Sequence, residues 1–259
     1  MKKHKIFFWA ITSALGGFLF GFDTAVISGG EQNIQTMWEL SDIMIGQTVA
    51  MALYGTIVGA LFGGIPAQKY GRKTTLIWIA ALFLISAVGS AFAPEVYTLM
   101  FARFIGGLSI GASSVVAPMY ISEIAPAAKR GKLTALFQFN IVLGILIAYF
   151  SNFMIGTDDI ESWRWMLGVE IIPATLFLVM VFTIPESPRW LIVAKNRVSE
   201  AREILRITNP DTVDESVRAI KAGDLNPGKA TPLRDFFSKR FRFPIMLAFC
   251  LYSLTRFPE

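Results

Sequence analysis

"GFLFGFDTAVISGG", residues 17–30, is an apolar, glycine-rich run interrupted by one carboxylate, Asp23. Arg103 in "FARFIGG" and Glu170 in "MLGVEIIP" break two other apolar runs in the same way. A charge in hydrocarbon costs about 2.5–3.5 kcal/mol even on the lenient insertion scale. Pairing Asp23 with Arg103 inside a helix bundle lowers that cost. A second carboxylate beside one arginine is not neutralised by it, which leaves one of the two acids able to take up a proton. The chemistry on offer is therefore proton binding that depends on the arginine's partnership. The competing reading is a static ion pair that locks helices together.

The composition identifies the elements that must carry these residues. Of 259 residues, 54% are hydrophobic and 17% charged, against about 25% charged in ordinary soluble domains. This is an integral membrane composition. A crossing helix needs about 20 apolar residues, and six runs qualify: 6–29, 46–68, 74–93, 97–121, 133–155 and 164–184. Lys2, Lys3 and Lys5 before an apolar run also resemble a secretory signal, but the run is long and more spans follow, so a retained first span is the reading.

Basic residues alternate between loops. The N-terminus carries Lys2, Lys3 and Lys5, the loop after span two Lys69, Arg72 and Lys73, and the loop after span four Lys129, Arg130 and Lys132. The intervening loops hold only acids: Glu31, Glu39, Asp42, Glu95, Asp158, Asp159 and Glu161. The asymmetry places the N-terminus in the cytoplasm and explains the net charge of +5 without nucleic acid. With that orientation, Asp23 lies seven residues before Gly30, Arg103 six after Tyr97, and Glu170 seven after Trp163. At about 1.5 Å per residue, all three sit roughly 10 Å below the outer surface.

Gly55, Gly59 and Gly63 recur every fourth residue in span two, as do Gly17 and Gly21 in span one and Gly107 and Gly111 in span four. This spacing permits close helix approach; none of it follows a strand as a phosphate loop would. Residues 1–185 thus read as a six-helix transmembrane domain. Residues 186–242 read as a cytoplasmic linker of short amphipathic helices, with a capping-box pattern at Thr212–Glu215 and turns at "NPD" and "NPG". Residues 243–259 read as the start of a seventh span. Cys250 is the single cysteine and His4, in the basic tail, the single histidine, so no metal or nucleophile constellation points to an enzyme.

Several of these stretches resemble the sugar porters of the major facilitator superfamily. "GFLFGFDTAVISG" resembles their first span, and "GGIPAQKYGRKT" the loop between spans two and three. "RFIGGLSIGASSVVAPMYISEIAPAAKRGKL" resembles span four and its exit, with Gly107, Gly111, Tyr120, Glu123 and Arg130 at the family's spacing; "WRWMLGVE" and "PESPRWL" complete the pattern. The resemblance implies an all-α membrane fold of two six-helix halves with a sugar site between them, working by alternating access. This chain would be the N-terminal half plus linker.

By the same resemblance, Asp23 and Arg103 match the pair that couples proton movement in bacterial xylose–proton symporters. Glu170 matches a further acid of the proton-coupled members. Phe20 and Gln138 match sugar-contacting positions, and an amide that donates and accepts suits hydroxyls. Ile145 stands where the xylose symporters have a second such Gln, as in the glucose transporters. Arg72, Lys73, Glu123, Arg130, Glu186 and Arg189 match the cytoplasmic charge network that closes the inner gate. Gln68 stands where that loop motif usually has Asp or Asn, which implies a weaker gate. The resulting expectation is a proton-coupled monosaccharide symporter of the cell membrane, needing no cofactor beyond the coupling proton. The alternatives are a facilitative uniporter and a non-transporting sugar sensor. A C-terminal half should follow, but nothing from Cys250 onward resembles it, so a truncation or frame shift near Phe249 is expected.

Overall fold

The computed structural model describes residues 2–156 and 159–223. The expected start of a seventh span, 243–259, the "NPG" turn and Asp158 lie outside them. The chain divides into two units, Met1–Val217 and Arg218–Glu259. Of the second, the described residues are 218–223, the end of the last helix.

Every regular element among the described residues is a helix. The long elements are α1 (Lys2–Met37), α2 (Asp42–Phe62), α4 (Arg72–Ala91), α5 (Val96–Ile124) and α6 (Arg130–Ile155). The short α3 (Gly64–Tyr70) follows α2, and α7 (Ser162–Gly168) with α8 (Ile171–Thr183) makes up the sixth crossing. Among the described residues six helices are long and apolar enough to cross a membrane, with α7 and α8 counted together. Beyond them come α9 (Pro188–Val193), α10 (Val198–Thr208) and α11 (Val213–Gly223).

Three boundaries depart from the expected spans. The first helix does not stop near Gly30 but runs on to Met37. Polar Glu31, Gln32 and Asn33 hid this extension; Ile34 is fully buried, and the Asn33 amide donates to the Asp159 carbonyl at 2.8 Å. The second crossing breaks at Gly63, where Pro66 in the following turn supplies no N–H to the Phe62 carbonyl. The sixth breaks between Gly168 and Ile171 for the same reason: Pro173 leaves the Val169 carbonyl without its helical donor. Glu170 therefore sits at a joint where the hydrogen-bond ladder is interrupted but the backbone keeps helical dihedrals.

The glycine spacing does what small residues at that interval permit. A Cβ on Gly55 or Gly59 would run into the carbonyls of Phe104 or Leu108 on α5. One on Gly107 or Gly111 would meet those of Ala52 or Thr56 on α2. Across α1 and α6, Gly21 abuts the Ile141 carbonyl and Gly144 that of Phe18. Backbones touch directly in both pairs, and lipid offers no hydrophobic force to hold helices together in its place.

Two apolar clusters fill the bundle, one including Trp9, Phe83, Tyr120 and Phe177, the other Phe22, Val26, Leu99 and Trp163. The outer faces stay apolar, with Leu53 and Ile57 on α2, Phe150 and Phe153 on α6, and Ile172 and Val179 on α8 all exposed, as a lipid-facing surface requires. Gly107→Val should force α2 and α5 apart at a cost of about 1–3 kcal/mol or more. Gly46→Ala, whose Cβ would meet nothing within 4 Å, should not destabilise. Thermal melts of the detergent-solubilised variants check both.

Candidate functional site

Asp23, Arg103 and Glu170 meet. Arg103 Nη1 donates to Asp23 Oδ1 at 2.6 Å and to the Asp23 carbonyl at 3.2 Å. Glu170 lies against Asp23 within hydrogen-bonding reach, and all three residues are at most 2% exposed. Asp23 Oδ2 and Glu170 Oε1 are buried without a hydrogen-bond partner, as is Arg103 Nε. Arg103 thus pairs with Asp23, and Glu170 stands beside that pair as a second acid, with one carboxylate oxygen on each acid unsatisfied. Local packing builds this layer. Gly106, one turn after Arg103, leaves room for Ser86, whose Oγ would lie 2.5 Å from a Cβ there. Ser86 ties α4 to α5 by donating to the Ala102 carbonyl at 2.8 Å. The layer also lies at the seam between the two apolar clusters: Leu19 belongs to one and Phe22 to the other, as do Ala174 and Leu167.

Phe20 and Gln138 come together as well. They line an open recess of about 820 Å³ framed by α1, α5 and α6, and Arg130 stands in the same lining. Gln138 is exposed and Phe20 half-buried. Ile145 is two turns along α6 and outside that lining; it packs against the Phe22–Trp163 cluster.

The expected charge network splits. Arg72 holds Glu123 in a two-pronged pair, with Nε to Oε2 and Nη2 to Oε1 both at 2.9 Å. Glu186 Oε1 accepts from the backbone N–H groups of Arg72 (2.9 Å), Lys73 (3.0 Å) and Ser187 (2.8 Å). An acid from the far end of the sixth crossing thereby caps the start of α4, where the helix dipole favours negative charge. The cap explains Gly71, whose φ of 104° and close approach to the Glu186 carboxylate suit glycine. Gln68 is not the cap; its backbone carbonyl accepts from Trp190 Nε1 at 2.8 Å. Arg130 and Arg189 are exposed and have no ion-pair partner among the described residues.

Two participants were not singled out from sequence. Ser187 Oγ donates to Glu123 Oε2 at 2.5 Å and accepts from the Trp190 N–H, joining the acid to α9. Its N-cap position, just before Pro188, was the available signal. Arg164 Nη1 closes the end of α4 through the Ala93 and Ala91 carbonyls at 2.7 and 3.3 Å.

A family model described as "Sugar (and other) transporter" matches residues 9–257. A D-xylose transporter of Levilactobacillus brevis is 41% identical over 209 residues, which cover 81% of this chain and 45% of that protein. The D-xylose-proton symporter of Escherichia coli K12 is 36% identical over 259 residues, covering 87% of this chain and 52% of that one. A structure of the major facilitator proton:xylose symporter XylE bound to 6-bromo-6-deoxy-D-glucose matches with a TM-score of 0.84 at 36% identity, over 91% of this chain and 56% of XylE. The chain spans about half the length of the curated relatives it matches. It belongs to the sugar transporter family, as an integral, multi-pass membrane protein of the major facilitator fold.

Proposed function

We propose that this chain supplies the proton-coupling part of a monosaccharide–proton symporter that works by alternating access with a second six-helix part. The reading rests on one observation, the buried trio in which Arg103 pairs with Asp23 and Glu170 lies beside that pair as a second acid. A proton entering between the two carboxyls removes one negative charge and loosens the hold of Arg103 on α1. The α1–α5 contact then becomes sensitive to protonation. The recess lined by Phe20 and Gln138 borders the same two helices, so sugar and proton act on shared elements. Gln138 would hydrogen-bond sugar hydroxyls while Phe20 packs on the ring. Ile145, on the same helix, would add an apolar contact.

The cell membrane is the proposed location, with the N-terminus cytoplasmic, because Lys and Arg concentrate at the end bearing the starts of α1, α4 and α6. At that end Arg72, Glu123 and Glu186 form a fixed inner gate. Arg130 and Arg189 are cations available to acids of the second part.

In the assembled transporter, Asp23→Asn should abolish uphill sugar uptake in vesicles yet leave sugar counterflow measurable. Accumulation that stays pH-dependent in this variant would refute proton coupling through Asp23. A facilitative uniporter would instead show uptake indifferent to a protonophore. Gln138→Ala should weaken sugar affinity about tenfold, as expected for one or two lost hydrogen bonds; binding calorimetry reads this directly. Glu123→Gln leaves Arg72 without its charged partner and should cost about 3 kcal/mol. Arg189→Gln should leave the melting temperature unchanged.

A further inference from the structure

Far from the Phe20–Gln138 recess, a groove of about 430 Å³ opens between the last turn of α4 and the α7–α8 pair. Gly168 and Ala91 line it beside Phe92, Trp165 and Ile172, which are 74%, 72% and 72% exposed. At the mouth stand Arg164 and Glu161, with Nε to Oε1 at 3.9 Å. No other Lys or Arg occurs among residues 30–48, 90–98 and 159–168, the described segments of that end of the bundle. Arg164 is held by the Ala91 and Ala93 carbonyls and by the Trp163 ring, 4.5 Å from its guanidinium carbon. Its Nη2 has no hydrogen-bond partner among the described residues.

An apolar groove on a bilayer-facing surface takes hydrocarbon. Exposed tryptophan marks headgroup depth. A fixed guanidinium with an unused donor there fits a phosphodiester. An adjacent carboxylate fits a headgroup hydroxyl. We infer that this groove seats one glycerophospholipid, its phosphodiester on Arg164, a headgroup hydroxyl on Glu161, and an acyl chain lying past Phe92 and Ile172 over Gly168. A sugar is a poor match, because the groove walls offer it few hydrogen-bonding groups. Val169 also lines the groove and immediately precedes Glu170. The lipid therefore braces the joint that presents Glu170 to Asp23.

The test is native mass spectrometry of the full 259-residue chain, titrated in detergent with phosphatidylglycerol. Wild type should retain one lipid more than Gly168→Leu. That variant fills the groove without disturbing the backbone, since a Cβ at 168 meets only the Ala91 Cβ, at 3.5 Å. Arg164→Gln should weaken retention about tenfold, the loss expected for a charge-assisted hydrogen bond. Diacylglycerol, which lacks the phosphate, and glycerol 3-phosphate, which lacks the chains, should each compete at least about tenfold more weakly. Phosphatidylglycerol binding to Gly168→Leu as to wild type would overturn the proposal. So would glycerol 3-phosphate binding as tightly as the lipid. Circular dichroism checks that each variant is folded, and if Arg164→Gln loses its helix signal, Gly168→Leu decides the matter.

Discussion

Arg103 and Asp23 meet at 2.6 Å with their side chains 2% exposed. At such burial neither charge is tolerable alone, and removing one partner strands the other. That requirement organises the surrounding bundle. α1 must approach α5 closely enough for the contact, and Ser86 ties α4 to the turn that presents Arg103. The sixth crossing must bring Glu170 to the same depth. It does so on the turn where Pro173 removes one helical hydrogen bond while the backbone keeps helical dihedrals.

A third charge, Glu170, lies in the same layer. One arginine paired with Asp23, with Glu170 beside them, leaves an odd charge and unsatisfied oxygens. That imbalance is why a proton is the proposed ligand. The layer also sits where the two apolar clusters adjoin, so a change in its charge acts at the seam of the core rather than deep within either part. Direct backbone contact through Gly55, Gly59, Gly107 and Gly111 makes α2 and α5 a stiff pair beside it. The Gly21 and Gly144 contacts do the same for α1 and α6.

The other end of α5 is held differently. Arg72, Glu123, Glu186 and Ser187 join the start of α4, the end of α5 and the exit of the sixth crossing through charge-assisted hydrogen bonds. Family resemblance drew Arg72, Glu123, Glu186, Lys73, Arg130 and Arg189 together as one network, and the Lys73 ammonium goes to the Phe182 carbonyl at 2.9 Å. In the structure, the first three form a closed set, and the two remaining arginines stand apart. Resemblance marks which residues recur, whereas pairing depends on where each helix end comes to rest.

Hydropathy alone determined the six crossings, because a bilayer of known thickness demands runs of known length. Helical rise alone placed Asp23, Arg103 and Glu170 at one depth, because position along a straight helix is simple arithmetic. The glycine spacing announced close packing for a similarly local reason. Other features required the tertiary structure. The polar end of α1 carries no membrane signal, and packing under Trp163 together with the contacts of Asn33, Gln35 and Met37 holds it helical to Met37. The cap of α4 comes from Glu186, 114 residues away from Arg72. The same-depth arithmetic could not say which faces turn toward each other, so the 2.6 Å ion pair and Glu170's place beside it belong to the fold. Depth is a property of one helix; contact depends on how several are rotated and packed.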